Sequence, residues 1–507
     1  MSCVENHSCS STEDFRGSWC LPSRLLDVGN LNSDRVKLVI TSRENISDFR
    51  YAALSYCWGT STPFTTKLST LDSRLQGFSV FEMPLTLRET VQVTRELGLR
   101  YLWIDALCIF QGSQDDAATK AACQPSMLRA KKDNNAAKAD WQLESARMHK
   151  VYGQAFLTIV AAGASDMNGG LFHGSRSCLI PSRGQGLDPM QSKENATISL
   201  DPNGTGSRDV GFHHQSIFSR GWALQEWVLS ARLLVFTTTQ MYFICNQYSS
   251  IRAHKALLFR FPRSPEVVTN KDWRSIVQSF CARDLTKPED KLPALSGLAK
   301  RFSELSNGAL GDYRAGLWQN SIHLDILWQR DDAGAGFALM LPIPHKMGRS
   351  RYQGRARAPS WSWAAVDGPI TFRGDLRTPK RRILCETKPV KGHDLFGQIE
   401  SGTLVVHCPF KMASIIFRNG NPMLSYDGKT CPGFWSDDPT EIIHLANTEY
   451  DDEERKLYCL GLAGRDDEWL GIVVRSDQET GHFLRVGFFF TSTVEFEEAD
   501  ERDFTII

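Results

Sequence analysis

Two short apolar runs, residues 51–59 (YAALSYCWG) and 101–104 (YLWI), bracket an amphipathic stretch and constrain the fold most. The first reads as a mostly buried strand that must stop at Gly59, because turn residues follow. Between the runs, Leu87, Val91, Thr94 and Leu97 share one helical face, and Gly98 is a natural C-terminal stop. Thr86 and Glu89 fit a capping box at the start of that helix. The second run closes at Asp105 and fits a strand covered on both faces, as in a parallel sheet. Strand, helix, strand at this spacing predicts an α/β fold. Residues 36–40 and 155–162 add two more expected strands.

Composition narrows the function classes. The chain has 507 residues, enough for two or three domains, and 41% of them are hydrophobic. Lys plus Arg number 58 and Asp plus Glu 58, so no global charge favours nucleic acid or an anionic membrane. The 13 cysteines form no C-x-x-C pair, and no two His residues stand at metal-ligand spacing. Reduced thiols in a cytoplasmic protein, with no metal and no cofactor, are the expectation. Residues 1–30 lack an apolar signal core, and no run reaches the roughly 18–20 apolar residues that span a bilayer.

Residues 112–140 are rich in Ala, Lys, Asp and Asn without an apolar stripe, which predicts a mobile insertion. Asp140 then fits an N-cap, and Trp141, Ser145, Met148 and Tyr152 fall on one helical face. Residues 220–230 predict a short helix, and residues 232–236 and 241–245 a hairpin. Residues 270–310 read as helical with a break at Pro288. Beyond about 350 the pattern turns β-rich, including residues 360–363, 402–407, 457–462, 469–474 and 483–490. No Gly/Ser/Pro-rich linker separates the two halves, so tight packing between them is expected.

Few motifs carry chemistry. Residues 427–430 (DGKT) resemble the end of a phosphate loop, but Met423 stands where a glycine is needed. His213 and His214 are adjacent, a spacing that suits a solvated loop better than a metal site. Asp105 is more telling, because ligands of open α/β sheets gather at the carboxyl ends of strands. It could equally cap a turn. Glu144, at the edge of an apolar face, is either desolvated with a raised pKa or paired with Arg147 or Arg88. Trp58 ends its strand beside a glycine and is the aromatic best placed to leave the core. Gln225 and Glu226, close behind Arg220, are open to two readings, an ionic brace or a site.

Four ordered blocks together resemble the fungal heterokaryon-incompatibility (HET) domain family. They are residues 51–59 and 101–111, then residues 140–145 with Met148 and Tyr152, and finally residues 219–226 with Leu229, Ser230 and Arg232. Residues 315–318 (AGLW) and 358–364 (APSWSWA) also resemble segments that commonly follow this domain. The 112–140 stretch is longer than the family's usual loop. The resemblance implies nonself recognition and regulated cell death in a filamentous fungus. The family is also distantly similar to TIR domains, whose flavodoxin-like fold can hydrolyse NAD with a glutamate of a Trp-x-x-Glu helix. Residues 141–144 have that form.

The expectation is therefore a flavodoxin/TIR-like parallel-sheet core with insertions, followed by a mixed helical and β-rich region. Residues 1–47 form a lead-in, 48–232 the HET domain and 233–507 the C-terminal region packed on it. Glu144 and Asp105 are the expected catalytic pair, with Ser55, Trp58, Trp141, Arg220, Gln225 and Glu226 as substrate contacts. Three readings stay open: an NAD-consuming cell-death protein, a metabolic enzyme on the same scaffold, or a signalling adaptor with a protein partner or a second copy of itself. An enzyme would bring Asp105, Glu144 and Trp58 into one cleft.

Overall fold

The computed structural model describes residues 21–60, 64–112, 125–173 and 215–245, then 268–331, 357–373, 382–390 and, apart from a few short stretches, 394–507. The chain divides into two compact units, Met1–Phe261 and Pro262–Ile507.

The first unit is built on an eight-stranded mixed sheet. Its strands are β1 (Arg24–Asp27), β2 (Arg35–Ile40), β3 (Tyr51–Ser55), β4 (Phe78–Ser79), β5 (Tyr101–Trp103), β6 (Leu157–Ala161), β7 (Arg232–Phe236) and β8 (Met241–Cys245). They lie in the order β4-β2-β1-β5-β3-β6-β7-β8. The central four, β5-β3-β6-β7, are parallel. Antiparallel strands extend the sheet on both sides. An α/β unit is thus confirmed, with a sheet that is mixed rather than wholly parallel. The hairpin of β7 and β8 completes this sheet, so the first unit continues past Arg232.

Strand alternation explains why β3 carries no polar face. Ala52 and Leu54 enter one core with Leu87, Val91 and Val93 of α2 (Leu85–Glu96, following α1, Leu71–Gln76). Tyr51 and Ala53 enter another with Trp103, Met148, Val151 and Tyr152. Buried on both faces, the strand reads as one apolar run. From β3 the chain steps to β5 on one side, then crosses back to β6 on the other. A reversal of this kind, here between β3 and β6, is where open α/β sheets place ligands, at the carboxyl ends of the strands.

Several local expectations change. The N-cap of α2 is Pro84, and it makes no side-chain cap. Thr86 Oγ1 and Glu89 Oε2 instead accept the backbone N–H groups of Gly170 (3.0 Å) and Leu171 (2.5 Å). They fasten a distant loop, which outcompetes the local box. After the short α3 (Asp105–Cys108), α4 runs over Pro125–Ser145, so Asp140 lies inside a helix and does not start one. Ala- and Lys-rich sequence has strong helix propensity even without an apolar stripe. A break at Ala146 and Arg147 separates α4 from α5 (Met148–Gln154), and α6 is Gly221–Leu229. His213 and His214 lie outside the described residues.

The two longer helices described in the second unit are Asn270–Cys281 and Pro293–Ser306, parted at Pro288 by a short helical turn. Its main sheet has nine strands, mostly antiparallel. Residues 427–430 are a hairpin turn, with Asp427 and Gly428 at φ of 51° and 74°, and bind no phosphate-loop geometry. Residues 360–363 form no strand: they lead into the 3-10 turn Trp363–Ala365, with Trp361 and Trp363 buried. Trp273 and Trp363 both donate their indole N–H to the Gly316 carbonyl, at 2.9 and 3.0 Å. Gly316 has φ +99°, and an added Cβ would sit 2.6 Å from the Trp363 indole. The 315–318 and 358–364 motifs are two sides of this tryptophan lock.

Candidate functional site

The carboxyl ends of β3 and β5 carry a cluster of ionisable groups from four elements. Ser55 ends β3, and Tyr56, Cys57 and Trp58 follow it. Asp105 opens α3, directly behind β5. Arg220 precedes α6, whose buried face supplies Glu226, and Tyr152 comes from α5. Trp58 Nε1 donates to Asp105 Oδ2 at 2.9 Å, and the Ala106 N–H donates to Asp105 Oδ1 at 2.6 Å. Arg220 Nη1 donates to the Tyr56 carbonyl. Trp58, Asp105 and Arg220 keep part of their surface exposed, whereas Ser55, Tyr56, Cys57, Tyr152 and Glu226 are buried. The cluster therefore runs from solvent into the core.

Its electrostatics are unbalanced. Burial pushes the Glu226 carboxyl up to about 7, with Arg220 and hydrogen bonds from Ser55 and Tyr152 opposing and Asp105 reinforcing the rise. Burial also raises Asp105, against Arg220, Trp58 and the Ala106 amide. Burial disfavours the Arg220 charge, but Glu226, Cys57 and Asp105 outweigh it and hold the guanidinium above its ordinary value. Tyr56 rises well above the usual phenol range through burial and the Asp105 charge. Two carboxylates thus share one guanidinium. Glu226 Oε2 has no hydrogen-bond partner among the described residues, although Glu226 is only 4% exposed.

Glu144 belongs to a different cluster. Ser23 Oγ donates to its Oε1 at 2.6 Å, and Arg147 Nη1 stands 3.9 Å from the same oxygen. Arg24 pairs with Asp140 at 2.6 Å, and Asp140 also accepts the Phe110 N–H at 2.8 Å. Burial raises the Glu144 carboxyl, opposed by Ser23 and Arg24. The two clusters share a neighbour, Cys108, whose thiol burial pushes up to about 12 and on which Glu144 and Asp105 both act. Of the alternatives for Glu144, desolvation and the Arg147 contact are both present. Trp141 packs edge-on against Trp222 at 6.0 Å, joining α4 to α6.

The structure thus brings together Ser55, Trp58, Asp105, Arg220 and Glu226, whereas the contacts of Glu144 are with Ser23 and Arg147 and that of Trp141 is with Trp222. Gln225 is fully buried, and neither amide atom has a hydrogen-bond partner among the described residues. Sequence reasoning passed over Tyr56 and Tyr152 as site groups, because aromatics at strand and helix periodicity read as core. Their hydroxyls were the missed signal. Among the described residues no group of three or more His, Cys, Asp or Glu could hold a metal ion. No helix there is long and apolar enough to cross a membrane.

An α/β unit with a half-buried acid–arginine cluster at its chain reversal defines the class. Residues 51–127 and 132–226 match the family model of the heterokaryon incompatibility protein (HET), and this part of the chain is a HET domain. No curated protein and no solved structure matches the chain.

Proposed function

We propose that this protein acts in nonself recognition or regulated cell death in the cytoplasm of a filamentous fungus, and that its HET domain hydrolyses NAD. The observation that carries the reading is the Asp105–Arg220–Glu226 cluster at the carboxyl ends of the parallel strands. The family's distant similarity to TIR domains supports the substrate. In this reaction the bond between ribose C1′ and the nicotinamide nitrogen breaks, and nicotinamide leaves neutral with the bonding pair. The ribosyl centre becomes oxocarbenium-like, and the Asp105 carboxylate stabilises it electrostatically. Water adds at C1′, and Glu226 takes its proton, a task suited to a base near neutrality. Trp58 holds Asp105 in place.

Incubation of the purified protein with NAD in a metabolite extract, followed by mass spectrometry, tests this. NAD should disappear as nicotinamide appears, and Asp105→Asn should slow the loss by roughly a hundred- to a thousand-fold. No turnover at micromolar protein contradicts it. The hydrogen bond between Trp58 and Asp105 favours a second reading, an adaptor in which these residues hold each other. In that case a protein partner or a second copy is bound without turnover.

A further inference from the structure

We propose that the cluster of Asp105, Glu226, Arg220 and Trp58 selects a planar heteroaromatic cation over its neutral counterpart, and that binding expels a proton from Glu226. For a nicotinamide ligand this means the oxidised, pyridinium form over the reduced ring, an inference that rests on the function proposed above. When fully ionised, Asp105 and Glu226 carry two negative charges against the single positive charge of Arg220. The groups that face Glu226 are Arg220 ahead of α6, Asp105 of α3, Tyr152 of α5 and Ser55 of β3. Tyr56 and Cys57, beyond the end of β3, also feel its charge. Arg220 is the only cation among these. Among the described residues the cluster is therefore one positive charge short of balance, which agrees with the Glu226 carboxyl lying at about 7. The unpartnered Oε2 shows the same shortfall in hydrogen bonds.

A bound cation supplies the missing charge and stabilises the Glu226 anion, so the proton leaves. Trp58 fixes the class of cation. Its one donor is committed to Asp105, so a ligand meets only its ring, and an indole attracts a cation across its face. A planar heteroaromatic cation adds ring stacking to the attraction that any cation feels over the indole, and a neutral ring gains nothing from the charge imbalance.

The probes are 1-methylnicotinamide, a pyridinium with no glycosidic bond to cleave, and neutral nicotinamide. Calorimetric titrations of the full chain in two buffers of different ionisation enthalpy count the protons released. The cation should bind about tenfold tighter than the neutral ring. Its affinity should rise severalfold between about pH 6 and about pH 8, with proton release below pH 7. Glu226→Gln should remove the release and the pH dependence while binding persists. The wild-type titration alone carries the test if that variant does not fold. Equal affinities, binding without proton release, or no binding of either probe overturns the inference. NAD cleavage with equal probe affinities leaves the enzyme reading standing without this one. Proton-linked cation binding without NAD cleavage does the reverse.

Discussion

Each unit holds a buried charged site, and the two sites are built in opposite ways. In the second unit Arg485 and Asp437 are fully buried. Arg485 Nε donates to Asp437 at 2.9 Å, its Nη2 donates to the Trp328 carbonyl at 2.6 Å, and its Nη1 donates to that of Ile326. The guanidinium also lies 3.5 Å from the centre of the Trp328 ring. The pair balances in charge, and every guanidinium nitrogen is used. In the first unit's Asp105–Arg220–Glu226 cluster two carboxylates share one guanidinium, Glu226 Oε2 has no hydrogen-bond partner among the described residues, and Trp58, Asp105 and Arg220 reach solvent. A satisfied pair fixes a fold. An unsatisfied one stores binding capacity, because a ligand can make the interactions the protein leaves unmade.

The contrast predicts a graded series. The largest loss should follow Arg485→Ala, which strands Asp437 in the core. About 3–5 kcal/mol of stability should go, measured by urea denaturation. A loss under about 1 kcal/mol would remove the distinction between the two kinds of site. Next is Asp140→Ala, which leaves the buried Arg24 without its carboxylate and Phe110 without its acceptor. About 2–3 kcal/mol is expected, and an unchanged melting temperature would show that α4 is dispensable to the first unit. The smallest effect should be that of Glu144→Gln. The amide oxygen still accepts from Ser23, so stability should shift by less than about 1 kcal/mol. NAD turnover should stay within about twofold of wild type, given a site elsewhere. A loss of turnover approaching that of Asp105→Asn would return Glu144 to the catalytic centre.

Much of the first unit was legible in its sequence. Strands β3, β5 and β6 announced themselves as uninterrupted apolar runs, because burial on both faces leaves no polar alternation to confuse them. Helix α2 showed through its Leu87, Val91 and Thr94 stripe. What failed was polar and long-range. Thr86 and Glu89 have the spacing of a local cap, yet they bond a loop some eighty residues on. Asp140 resembles a helix start, yet it answers Arg24 and Phe110. Glu144 drew attention through a four-residue spacing that says nothing of Ser23, the distant group that contacts it. Asp105 was recognisable because strand ends are where α/β sheets place ligands. Glu226 was named as a substrate contact, but its role was not legible, since an ionic brace and an unsatisfied cluster share the same residues and differ only in how many bonds are made.

Glu226→Gln tests the central claim without any knowledge of the substrate. A carboxyl raised from an ordinary 4.5 to about 7 binds its proton more tightly in the folded chain. Its stability contribution is therefore complete below about pH 4.5 and is lost as the pH rises through about 7. The glutamine stays neutral and escapes that loss. Thermal denaturation of both proteins should give similar stability near pH 5, and a variant more stable by up to about 3 kcal/mol near pH 8. If Glu226 is instead the necessary partner of Arg220, the variant will be less stable than wild type at pH 8, and the cluster is a structural brace.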